Sequence, residues 1–150
     1  MPHTIWNTAD RDAIMRRFGR LSPDARPKWG SLDAPRMVTH VTDAIRASMG
    51  EIQMTPIAGP LQYWPVNVLV MFYMPWPKSV PTAPELLSRP PVNWPTELAE
   101  LRSTMDRFVA RDVKGPWTPH VAFGSISGRQ WGRLMYRHLD HHLVQFGADA

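Results

Sequence analysis

The chain contains no cysteine. Disulfides, thiolate ligands and a cysteine nucleophile are thereby excluded, so any bound metal must use histidine, carboxylate, carbonyl or water. Long apolar runs are missing too. The most apolar stretch, residues 66–74, offers about nine residues against the ~20 that a spanning helix requires. The opening residues, MPHTIWNTADRD, carry no charged segment followed by an apolar one, so no signal peptide is expected. These absences point to a cytoplasmic protein with no membrane partner. Charge of one sign is nowhere concentrated. The 17 Lys and Arg are interspersed with 13 Asp and Glu, so the net +4 reads as a solvated surface, and a nucleic-acid partner is not supported. There is no internal repeat and no low-complexity tract.

Proline and tryptophan, by contrast, are abundant, at 16 and seven residues. The prolines cluster between Pro56 and Pro95, among Tyr63, Trp64, Phe72, Tyr73, Trp76 and Trp94. Disordered segments lack such aromatics, so this middle region is expected to be irregular but ordered. With 150 residues, 43% of them hydrophobic and 20% charged, the chain is expected to form one globular domain, residues 1–150.

Helical periodicity dominates the rest. Residues 8–18 form a first helix, capped by Thr8 or Asn7, with Gly19 near its end and Ile14, Met15, Phe18 and Leu21 as its core face. Residues 34–49 form a second. Asp33 caps it, Pro35 sits in the first turn where its missing N–H does no harm, and Gly50 stops it. Its stripe is Met37, Val38, Val41, Ala44, Ile45, Ser48 and Met49. Residues 60–74 fit a helix or a buried strand; length and the early prolines favour the helix. Residues 75–91 read as a long ordered loop, of the kind that is usually functional or packed as a lid. Residues 95–111 form another helix, with Leu98, Leu101, Met105, Phe108 and Val109 at helical spacing, Asn93 or Thr96 as cap and Gly115-Pro116 as the break.

The last helix, residues 131–147 (WGRLMYRHLDHHLVQFG), carries the chemistry. Ser127 and Gln130 form a capping box before it, and Gly147 supplies the left-handed residue that ends it. With Trp131 at zero, His138 and His142 fall at about 340° and 20°, in the middle of the apolar stripe. His141 lies on the rim and Asp140 faces water. A lone histidine on such a face is commonly a hydrogen-bonded core residue. An i, i+4 pair is also the spacing at which a helix presents two nitrogens to one divalent ion. The His-Glu-x-x-His spacing is absent, so no Glu base accompanies the pair. His40 lies on the edge of the second helix's stripe, where a single histidine would be an ordinary rim residue. Three imidazoles from two helices, however, make an open tetrahedral site with one position left for water or substrate. Such sites accept zinc, nickel, manganese or iron.

The segments 29–40 (WGSLDAPRMVTH), 76–87 (WPKSVPTAPELL) and 120–147 (HVAFGSISGRQWGRLMYRHLDHHLVQFG) resemble the DinB-like superfamily of metal-dependent four-helix bundles, and more specifically its DUF1569 branch. The resemblance implies an all-α, antiparallel up-down-down-up bundle, often a homodimer, with a divalent metal held by His40, His138 and His142. The family often reads His-Pro before its last helix, whereas Pro119 precedes His120 here.

The resemblance implies a small-molecule transferase or hydrolase, thiol-dependent in some relatives, with the substrate itself unidentified. Asp43, one turn after His40, and His141 are candidates to orient a ligand or move a proton, although a solvated helix position is the more ordinary use of Asp43. His120 would either support the site or be held by loop hydrogen bonds. Tyr73, Trp76 and the 75–91 loop would wall the pocket, unless they are simply core. Two other classes remain open: a non-catalytic bundle whose metal is structural or absent, and a module that binds a partner through its aromatic middle segment.

Overall fold

Each long helix begins where a short polar side chain takes up a backbone N–H that the helix itself leaves free. Asn7 accepts from Asp10 N, Asp33 from Arg36 N, Asn93 from Thr96 N, and Ser127 from Gln130 N with the reciprocal Gln130 bond completing the box. In a computed structural model that describes residues 1–78, 82–87 and 89–150, these caps open α1 (Thr8–Arg20), α2 (Ala34–Ser48), α4 (Trp94–Val109) and α5 (Gly128–Gln145). Between them lie α3 (Val66–Phe72) and two 3₁₀ turns, Pro60–Gln62 and Pro84–Leu86. The chain is all-helical among the described residues, and none of these helices is long and apolar enough to cross a membrane.

The apolar stripes meet in one core. α2 packs on α4 and α5, and α1 packs on the same two helices. Phe18, Ile14, Met37, Ile45, Leu101, Met105, Phe108, Leu139 and Leu143 are fully buried or nearly so. Truncating a residue such as Phe108 to Ala costs about 3–5 kcal/mol at a site of this kind. α5 lies unusually close to the amino-terminal segment. A Cβ at Gly132 would stand 2.2 Å from the Trp6 ring, whose Nε1 donates to the Gly128 carbonyl at 2.8 Å. Only glycine permits that approach.

Several expectations need correction. α1 continues through Gly19 to Arg20, because the backbone there stays helical and no left-handed residue interrupts it. The fourth helix ends at Val109, well before Gly115-Pro116. Residues 60–74 are not one helix: a 3₁₀ turn and α3 are separated at Pro65, which has no N–H to offer a continuing ladder. Nor is that stretch buried. Within α3 only Asn67 and Met71 are fully buried, with Val68, Val70 and Phe72 partly buried against the core, while Tyr63, Trp64, Leu69 and Tyr73 are exposed.

The segment after α3 is held at both ends. Arg137 of α5 donates to the carbonyls of Val70, Met71 and Met74, capping the end of α3, and its guanidinium lies 4.8 Å over Trp76. Further on, Arg89 donates to both oxygens of Asp43 (3.2 and 3.4 Å) and of Glu97 (3.1 and 2.9 Å), tying the segment to α2 and α4. Both carboxylates are buried, Glu97 at 1% exposure. The Pro84–Leu86 turn is thereby pressed onto α2. Residues 79–81 and 88 of the expected lid lie outside the described residues.

Candidate metal centre

α2 and α5 are packed against each other with their histidines at the same level. His40 Nε2 stands 3.0 Å from His138 Nε2, and His142 Nε2 stands 3.1 Å from the same atom. All three nitrogens lie within 4.8 Å of one another. His40 is buried rather than on a rim, at 5% exposure, because the Pro84–Leu86 turn covers that side of α2.

This geometry is poorly satisfied by protons alone. His142 Nδ1 lies 2.7 Å from Gln145 Oε1, an acceptor, so the ring proton sits on Nδ1 and Nε2 carries a lone pair. A proton on His138 Nε2 can serve one neighbour well; the other contact is then left without a proton of its own. A divalent ion removes the conflict. Two nitrogens held at about 2.0–2.1 Å by one tetrahedral ion stand about 3.3–3.4 Å apart, close to the separations found here. The donor set fits as well: three imidazoles, no thiolate, and one position open.

Burial makes all three rings poor bases. It holds His40 down to about 4 and His142 to about 3, and His138 well below the usual histidine range. Mutual repulsion adds to this, since His138 faces both His142 and His40, and His142 faces His40. The rings are therefore neutral at pH 7, the state in which they can ligate without first losing a proton. The backbone of Leu86 lies near enough to His40 to favour its charged form, yet Nδ1 makes no hydrogen bond of normal geometry.

The remaining candidates separate cleanly. Asp43 is not solvated. It is buried, accepting from Arg46 (2.8 Å) and Arg89, and both its oxygens are committed to guanidinium groups. His120 is a loop histidine held by the backbone: its Nδ1 accepts from Ala122 N and Phe123 N at 3.0 and 3.1 Å, and its main chain bridges Gly124. Its ring packs on Phe123 and Trp131, near enough to His138 to bear on its charge. His141 lies beside His142 on α5, with ring centroids 5.7 Å from Trp29 and 5.8 Å from Trp76, and its side chain has no hydrogen-bond partner among the described residues. Trp76 also leans on His138 at 6.2 Å, and Lys78 Nζ stands 4.9 Å over Trp29. Tyr73, expected to wall the pocket, is 70% exposed.

Residues 72–148 match the profile of a family described as "protein of unknown function (DUF1569)", just over half of the chain. The chain belongs to the DUF1569 family. The DUF1569 match takes in α4, the loop with His120 and all of α5, hence His138, His141 and His142; His40 is contributed by the part of the chain before it. Comparison with curated proteins and with solved structures returned no match.

Two groups at the site escaped the sequence reading. Gln145 and the carbonyl of Trp29 behind it had only a weak local signal, a polar residue one turn after His142. Arg89 had none, because it lies in a loop and its partners Asp43 and Glu97 lie on two different helices.

Proposed function

We propose that this chain is a metal-dependent enzyme acting on a small molecule, with His40, His138 and His142 holding a divalent ion such as zinc, nickel, manganese or iron. The observation that carries the reading is the convergence of three neutral imidazole Nε2 atoms on one point, with separations of 3.0 and 3.1 Å about His138. When bound there, the ion supplies Lewis acidity, and three neutral ligands leave its charge uncompensated.

The chain's own residues divide the remaining work. Trp29 and Trp76, whose indoles lie against His141 and His138, would shield one side of the centre from water. His141, kept below the usual histidine range by burial and by the Arg137 charge, is neutral at pH 7 and accepts a proton from a reacting group. Asp43 and His120 are not the proton carriers, since Asp43 is committed to arginines and His120 Nδ1 to backbone amides.

Transferase or hydrolase chemistry, thiol-dependent in the DinB-like manner, is the class we assign. The assignment extends to the architecture: one domain over residues 1–150 in which α1, α4, α2 and α5 form an antiparallel up-down-down-up bundle. The ring of packing pairs α1–α4, α4–α2, α2–α5 and α5–α1 supports it. A purely structural metal is disfavoured, because closed structural zinc sites use four protein ligands and the cluster among the described residues supplies three.

The test is turnover by metal-loaded protein over panels of thiol-transfer and ester- or amide-hydrolysis substrates. Activity is expected in the loaded protein, lost on chelation and in His142→Ala, and reduced at least 10-fold in His141→Gln, in keeping with the usual worth of a proton-transfer group. Activity that survives both chelation and His142→Ala would overturn the reading.

A further inference from the structure

Gln145 is 5% exposed, and both ends of its amide are engaged. Its Nε2 donates to the Trp29 carbonyl at 2.8 Å, and its Oε1 lies 2.7 Å from His142 Nδ1. The direction of this relay is fixed by chemistry. A carbonyl only accepts, so the amide must turn its NH₂ toward Trp29. That leaves Oε1 toward the imidazole, and an oxygen acceptor requires a proton on His142 Nδ1. His142 Nε2 is then left with its lone pair pointing at His40 and His138.

From this relay we infer that Gln145 is the positioning residue of the centre, holding His142 in its Nδ1–H tautomer and aiming Nε2 into the cluster. The inference rests on the metal reading for its consequence, but not for its geometry. The surroundings are built for it. The loop between α1 and α2 wraps the end of α5, with Lys28 N donating to the Gln145 carbonyl at 2.7 Å. Gly30, at φ +79°, passes so close that an added Cβ would stand 3.0 Å from Gln145 Nε2. The indole of the same Trp29 packs on His141, so one amide ties His142 to the residue that covers its neighbour. The partners of metal-bound histidines commonly set ligand tautomer and basicity in this way, and their loss costs about 10–100-fold in metal affinity.

The experiment has two readouts. The first is the tautomer of His142 in metal-free protein, read from histidine ring ¹⁵N shifts. The second is zinc affinity by competition with a chromophoric chelator, in the parent, Gln145→Met and Gln145→Glu. The parent is expected to show the Nδ1–H tautomer. Gln145→Met keeps the bulk but loses the acceptor, and is expected to mix tautomers and bind zinc about 10–100-fold more weakly. Gln145→Glu keeps the acceptor and should retain the tautomer, with affinity nearer the parent's. An Nε2–H tautomer in the parent, or a Gln145→Met protein that keeps both tautomer and affinity, would overturn the assignment. A parent that shows Nδ1–H but takes up no zinc sinks the metal reading alone, and the tautomer in Gln145→Met then decides for or against Gln145.

Discussion

Arg89 joins two buried carboxylates from different helices, and its removal should be among the costliest single changes in the chain. The four contacts to Asp43 and Glu97 run from 2.9 to 3.4 Å. In Arg89→Met, Asp43 keeps Arg46 at 2.8 Å, but the carboxylate of Glu97, which is 1% exposed, keeps no other hydrogen-bond partner among the described residues. Removing one partner of a buried pair costs about 3–5 kcal/mol, mostly because the other charge is left uncompensated. Arg89 itself is 30% exposed on its side chain, so the lower half of that range is the better expectation. At roughly 2–4 °C per kcal/mol for a chain of this size, the melting temperature should fall by about 10 °C. Urea denaturation measures the loss directly, and Glu97→Gln in the Arg89→Met background should recover part of it by removing the stranded charge. The reasoning fails if Arg89→Met stays within about 1 kcal/mol of the parent, or if adding Glu97→Gln recovers nothing.

Acid should destabilise the metal-free protein through the histidine cluster. Folded values near 4 for His40 and near 3 for His142 lie below the ordinary 6.5, so the unfolded chain binds more protons between those limits. Stability should therefore be undiminished above pH of about 6.5 and fall as pH is lowered toward 4. Denaturation midpoints from pH 7 to 4 check this, and a His40→Gln/His142→Gln protein with the same slope as the parent would contradict it. We propose that the exposed Tyr63, Trp64, Leu69 and Tyr73 form the interface of a homodimer. Sedimentation over a dilution series should show a monomer–dimer equilibrium lost in Trp64→Lys/Tyr73→Lys; a parent that stays monomeric at every concentration sinks this.

What could be read in advance follows the range of the interactions. Caps, stripes and the Gly147 stop are local, so Asp33, Asn93 and the Ser127–Gln130 box announced their helices correctly. The triad was legible for the same reason: His138 and His142 share a stripe through helical spacing alone, and His40 lies in a helix whose face is defined by its own residues. The rest depended on distant partners. Asp43 looked solvated because Arg89 lies 46 residues away. Gln145 acquires its direction from a carbonyl 116 residues back. Residues 60–74 differ from expectation because composition records that residues are apolar but not which way they point; with Pro65 breaking the stretch, only Asn67 and Met71 of α3 are fully buried, and Val68, Val70 and Phe72 are covered in part. Gly19 lies near the end of its helix as expected, and α1 runs one residue past it because nothing there demands a left-handed turn.

The measurement that bears most directly on the central claim is elemental analysis of protein purified without a metal-affinity tag, alongside a His138→Ala/His142→Ala variant shown by circular dichroism to keep its helices. The account predicts close to one divalent ion per chain in the parent, whether carried through purification or taken up from zinc, nickel or manganese, and none in the variant. A parent that stays metal-free after incubation with each ion, or a folded variant that binds as much as the parent, would contradict it.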